Sequence, residues 1–149
     1  AEGELIPGKS NAYETILANI IHKLEIEENV RFTGRLSAAE MAQQISISHL
    51  FVNPSCMEVH ALSLREAMSM GVPCITSLCG CTGSYVKHEE NGLVYRYEEY
   101  EILAYYIDKL FSNNVLSEKI SRNALNAVVE YQRDKKISLR EVYKKVLSK

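Results

Sequence analysis

The chain has 149 residues, 46% of them apolar and 24% charged, which are the proportions of an ordinary globular domain with a core of its own. Lys and Arg number 17 against 19 Asp and Glu, a formal charge of −2 that excludes a general nucleic-acid binder, because affinity for a phosphate backbone needs a basic surplus. Apolar residues are spread along the chain, against intrinsic disorder, and no apolar run approaches the roughly 20 residues of a membrane span.

One domain over residues 1–149 is expected. The chain opens at Ala1, and its first eight residues, AEGELIPG, read as a loop or the end of a preceding segment, so a piece of a longer polypeptide is expected. Four cysteines, Cys56, Cys74, Cys79 and Cys81, stand outside any disulfide-framework spacing, which fits a reducing cytoplasm.

In chain order, Tyr13, Ile16, Leu17, Ile20, Ile21 and Leu24 recur at helical spacing, and the acidic residues 25–28 close that helix. Val30 and Phe32 before Gly34 predict a short strand. Ser37 with Glu40 three residues later is a capping box that opens a second helix through Ile45. Residues 49–52 predict a strand stopped by Asn53 and Pro54, and residues 61–70 a helix ended by Gly71. Residues 72–76 (VPCIT) predict a buried strand, followed by a small-residue loop at 78–84; Asn91-Gly92 then turns into a strand at 93–95. From about Glu98 the pattern is helical, in pieces broken near residues 112–114 and near Gln132.

Strands separated by helices mean crossovers and a mostly parallel sheet covered on both faces, an α/β fold of Rossmann-like, doubly wound type. Ligands of such sheets bind outside the carboxyl ends of the strands, so the loops after Gly34, Val52 and Thr76 are the places to seek chemistry.

The segment NPSCMEVHALSLREAMSMGVP puts Glu58 in a loop just before a helix and Glu66 within that helix, with seven residues between them. Helical side chains lean toward the helix N-terminus, so both carboxylates can serve one crevice. Backbone amides at Ala61, Leu62 and Ser63 would be free to meet an anion, which the helix dipole favours. A phosphate beside a polyol suits this corner, although an isolated pair of glutamates is more often solvated surface.

The segment resembles the signature of the group 1 retaining glycosyltransferases (family 4), which have the GT-B fold. Pro54-Ser55 after a strand, Glu58, then Glu66-Ala67-Met68, Gly71, Pro73 and the strand Cys74-Ile75-Thr76 carry the resemblance. It extends over VRFTGRLSAAEM at 30–41, Leu50-Phe51-Val52, Gly80 and Asn91-Gly92-Leu93-Val94. The resemblance implies the C-terminal, donor-binding half of a two-domain enzyme that transfers a sugar from a nucleotide diphosphate, of UDP or GDP type, with retention at the anomeric carbon. It implies Glu58 as the catalytic-site residue beside the transferred sugar and Glu66 on the ribose hydroxyls. His60, Ala61, Leu62 and Ser63, with Gly80, would hold the donor's diphosphate and sugar. It implies no cofactor and no metal, a partner N-terminal acceptor-binding domain of the same polypeptide, peripheral membrane contact, if any, through the full-length enzyme, and glycan or polysaccharide synthesis in the cytoplasm, either free or at the inner membrane face. The fragment alone is expected to be inactive.

The chain departs from the family where glycines usually follow the first Glu: here Val59, His60 and Ala61 stand. The rival reading is therefore a degenerate transferase domain, or another non-catalytic α/β binding module, used for interaction. Cys74, Cys79 and Cys81 lack the paired spacings of zinc sites, so thiols in the core or in loops are expected rather than a metal centre. The segment 133–149 carries seven Lys or Arg and an apolar stripe, expected to be a terminal helix with a solvated basic face.

Overall fold

The computed structural model describes residues 12–134. The chain divides into two compact units, 1–41 and 42–149, and helix α2 spans the division.

In the first unit α1 covers Ala12–Lys23, and its last turn is closed by Leu24 and by Glu25 in a left-handed conformation (φ 54°). A 3-10 turn at Glu27–Asn29 follows. Val30 is extended (φ −115°, ψ 121°), but the strand expected at Val30 and Phe32 does not form. A strand exists by its ladder, and among the described residues no neighbouring chain pairs with this segment. The capping box at the head of α2 (Ala38–Ser46) is present: Glu40 Oε2 accepts from the Ser37 backbone N–H at 2.7 Å, and Ser37 Oγ accepts from the Glu40 N–H at 3.4 Å.

The second unit is built on a parallel sheet in the order β1-β2-β3, with β1 at Phe51–Asn53, β2 at Cys74–Ser77 and β3 at Leu93–Tyr95. Asn53 pairs with Thr76, and Ser77 with Tyr95. β2 is buried along its whole length, as expected of a central strand covered on both faces. It starts two residues later than its apolar run suggests, because Val72 and Pro73 leave a helix terminus and Pro has no N–H for a ladder. β1 and β2 are joined through α3 (Leu62–Ser69), whereas residues 78–92 join β2 to β3 by a loop and a 3-10 turn at Thr82–Ser84. The α/β, Rossmann-like class is thus observed, with the small-residue loop expected at 78–84 lying between β2 and β3.

Helix α3 buries Leu64, Ala67 and Met68 and ends in a Schellman motif. Val72 N–H donates to the Ala67 carbonyl, Gly71 N–H to that of Met68, and Gly71 takes φ +70°. α4 (Tyr100–Ser112) and α5 (Asn114–Asp134) are separated by Asn113, whose side-chain oxygen caps α5 by accepting from Leu116 N–H at 2.9 Å. Ile75, Leu93, Tyr95, Leu110 and Ile120 form the buried cluster that joins sheet, α4 and α5. The break expected near Gln132 is absent: α5 runs through to Asp134, since a polar residue alone does not interrupt a helix. The rest of the basic segment, 135–149, and the opening residues 1–11 lie outside the described residues.

Candidate functional site

Because the three strands are parallel, their carboxyl ends lie on one edge of the sheet, and two loops leave from it: residues 54–61 after β1 and 78–81 after β2. Polar residues occupy the strand ends. Asn53, Thr76, Ser77 and Thr82 are all buried, and each finds a partner. Asn53 Nδ2 donates to Thr76 Oγ1 at 3.5 Å, and Ser55 Oγ donates to Asn53 Oδ1 at 3.0 Å. Ser77 Oγ donates to the Ser55 carbonyl. Thr82 Oγ1 donates to the Cys79 carbonyl at 2.7 Å and accepts from the Cys79 N–H at 3.2 Å, which folds the second loop on itself.

Two further contacts fasten one loop to the other. Gly80 has φ +52° and lies against the Glu58 peptide so closely that a Cβ there would stand 1.6 Å from the Glu58 carbonyl oxygen. Beside it, Cys81 Sγ is 3.1 Å from His60 Nδ1. Gly80, expected to face a ligand, thus has a structural task as well: it lets the backbone of Glu58 and Val59 pass. Glu58 therefore stands on a backbone held from beneath, with its side chain half-buried.

Ala61 is the N-cap of α3 and contributes no side-chain cap; its methyl is buried, so what it can offer a ligand is backbone. The first intrahelical bond runs from Arg65 N–H to the Ala61 carbonyl, leaving the amides of Leu62, Ser63 and Leu64 at the mouth of the helix. His60 and Leu62 are exposed and Ser63 is half-buried. Glu66 lies in the second turn of α3, also exposed. Neither Glu58 nor Glu66 spends its carboxylate on an ion pair or side-chain hydrogen bond among the described residues.

The cysteines divide by environment. Burial pushes the Cys74 thiol up to about 12, and the thiol donates to the Val72 carbonyl, so it belongs to the core. Cys79 and Cys81 are half-buried in the second loop and Cys56 is exposed in the first. Among the described residues no three His, Cys, Asp or Glu side chains converge as metal ligands. A separate cavity of about 430 Å³ opens beside α5, lined by Ser84, Lys87, Asn91, Asn123 and Glu130 among others. Two of its amides are engaged: Asn91 holds the Lys87 N–H and the Tyr85 carbonyl, and Asn123 holds the Glu90 carbonyl.

Glu58 lies in the loop after β1 and Glu66 on α3, the placements the sequence predicts, whereas the network of Asn53, Ser55, Ser77 and Thr82 and the pairing of Cys81 with His60 are not predicted by it. The only signal for the network was the run of small hydroxyl and amide residues at two consecutive strand ends.

Comparison with known proteins agrees with this architecture. The profile of the family described as Glycosyl transferases group 1 matches residues 5–127. N-acetyl-alpha-D-glucosaminyl L-malate synthase of Bacillus anthracis is 29% identical over 133 residues, 89% of this chain and 34% of that protein. Sucrose-phosphate synthase from Thermosynechococcus elongatus superimposes with a TM-score of 0.80 at 22% identity, over 98% of this chain and 37% of that one. HepE from Anabaena, solved in complex with UDP, gives 0.75 at 25% identity over 79% of this chain and 32% of its own. The chain thus spans about a third of the length of the curated relatives it matches. With the profile matched over most of its length and the signature residues gathered at the strand ends, the chain belongs to the group 1 glycosyltransferases.

Proposed function

We propose that the chain is the nucleotide-sugar-binding part of a retaining glycosyltransferase and that its donor lies across the carboxyl ends of β1 and β2. The observation that carries this reading is the locked pair of loops: Gly80 against the Glu58 peptide holds a half-buried carboxylate next to the uncapped first turn of α3. Glu58 serves the transferred sugar, where an anion stabilises positive charge developing at the anomeric carbon. The amides of Leu62 and Ser63, with the Ala61 backbone and His60, take the diphosphate, and the α3 dipole adds about 0.3–1 kcal/mol for an anion there. Glu66, one turn further on, accepts from the ribose hydroxyls. HepE, solved with UDP, supports a uridine diphosphate donor; a guanosine one is the alternative within the same site.

The leaving diphosphate is met by backbone amides, so donor binding is expected to be independent of divalent cations. Adding a chelator should leave the dissociation constant unchanged, and a strict requirement for magnesium would contradict the assignment. The chain spans a third of its relatives, and transfer also needs an acceptor site; we propose that this chain binds donor in the cytoplasm without turning it over. Titration with UDP, GDP, ADP and their sugar conjugates by calorimetry or thermal shift tests the reading. A ligand at 100 times its dissociation constant should raise stability by about 2.7 kcal/mol. Loss of the shift in a Glu66→Ala variant is the expected result, and a shift unchanged by that variant would overturn it.

A further inference from the structure

Cys81 and His60 meet only through their side chains, across two loops whose spacing is set elsewhere by the approach of Gly80 to the Glu58 peptide and by the bond from Ser77 to the Ser55 carbonyl. The Cys–His contact is therefore not needed to hold the loops together. What it can do is orient a ring: at 3.1 Å, within the reach of a sulfur hydrogen bond, Sγ fixes one nitrogen of an otherwise exposed imidazole. Imidazole nitrogen is a good acceptor, whereas sulfur is a weak one, so the pair is best satisfied with the thiol donating and Nδ1 accepting. The hydrogen bond at one ring nitrogen decides which tautomer the other presents. His60 immediately precedes the N-cap of α3, so an N–H on its free nitrogen adds one donor to the row of amides that the helix offers.

We infer that Cys81 is the positioning residue for His60: its thiol donates to Nδ1, keeps the neutral ring's hydrogen on Nε2, and leaves Nε2–H as a hydrogen-bond donor to an oxygen of the nucleotide-sugar diphosphate or sugar. The ligand in this statement rests on the function proposed above; the tautomer rests on the Cys81–His60 geometry alone. No covalent step is involved, and the thiol stays a thiol. Where relatives of the family resemblance carry glycine after the first Glu, this chain then has a side-chain donor, held by a cysteine 21 residues away.

The two parts are separable by experiment. In the 15N-histidine-labelled chain, two-bond proton–nitrogen spectra, assigned by loss of the His60 signals in His60→Gln, should show the Nε2–H tautomer with a hydrogen-bonded Nδ1. Cys81→Ala should shift His60 to the exchanging mixture of an exposed ring, and Cys81→Ser, which keeps a donor, should restore the single form. An Nδ1–H tautomer in the unmodified chain, or a spectrum indifferent to Cys81→Ala, would overturn the positioning role. For the ligand, the dissociation constant of UDP-glucose or GDP-mannose, whichever binds the unmodified chain, is compared across a double-mutant cycle. Cys81→Ala and His60→Ala should each weaken binding about three- to tenfold, and the double variant no more than His60→Ala alone. Multiplying effects would mean that Cys81 acts independently of His60 and would overturn the inference. If neither sugar nucleotide binds, the donor reading fails while the nitrogen spectra still decide the role of Cys81. Thermal melts of each variant separate loss of fold from loss of orientation.

Discussion

Replacing Gly80 with alanine would put a methyl group against the Glu58 carbonyl oxygen, in backbone that also prefers glycine at φ +52°. Backbone cannot swing aside as a side chain end can, so the two loops must part. Gly34 is a built-in control, with the same left-handed sign of φ (+62°) and no atom within 4 Å of an added Cβ. Gly34→Ala should cost only the conformational strain of about 1–2 kcal/mol. Gly80→Ala should cost more in a chemical-denaturation measurement and also abolish donor binding; equal costs would show that the close approach is unimportant. Glu66→Ala should behave oppositely, moving stability by no more than about 0.5 kcal/mol because the side chain is exposed and holds no ion pair among the described residues, yet removing nucleotide affinity. The glutamates and the helix amides were legible in the sequence because they sit within one short segment. The partnership of Cys81 with His60, and that of Ser77 with Ser55, was not, because loops from different strands meet only once the strands are parallel and in register.

Among the elements, those whose signals are local agree with the sequence reading. The Ser37–Glu40 capping box, the Gly71 terminus of α3 and the boundary at Asn113 are each written in a few consecutive residues. The strand at Val30 and Phe32 was misread because an extended, apolar segment is necessary for a strand but a ladder partner is what makes one. In α3 the burial of Leu64 is complete, and Leu64→Ala should cost about 2–5 kcal/mol in the unfolding free energy, a value that an exposed position would not approach. The turn before β3 is tied to α4 and α5 by Glu89, which lies 2.6 Å from Lys109 Nζ and whose carbonyl accepts from Lys119. The hydrogen bond from Lys109, and then its charge, hold the Glu89 carboxyl below its ordinary value of 4.5. A lowered folded-state value means that the pair's contribution is present above pH 4.5 and is lost as pH falls below it through the Glu89 value. Lys109 is raised above 10.5 by the bond to Glu89, so the same contribution is lost again as pH climbs past that value. Urea melts against pH should show this acid limb, and Glu89→Gln should flatten it; an unchanged limb would assign the acid sensitivity to other carboxylates.

At the scale of the molecule, the parallel order β1-β2-β3 turns three separate sequence features into one surface. It brings the ends of β1 and β2 to a common edge, where Glu58, the first turn of α3 and the Gly80 loop meet. A cavity of about 430 Å³ also opens beside α5, where Asn91 and Asn123 bond the protein's own backbone, whereas among the described residues Glu58 and Glu66 hold no ion pair or side-chain hydrogen bond. The measurement that separates these two surfaces most directly is amide chemical-shift mapping of the 15N-labelled chain with UDP, GDP and their glucose and mannose conjugates. Shifts should concentrate on residues 58–66 and 78–82 and vanish in the Glu66→Ala variant. Shifts centred on Ser84, Lys87, Asn91 and Asn123 instead would contradict the placement of the donor at the strand ends.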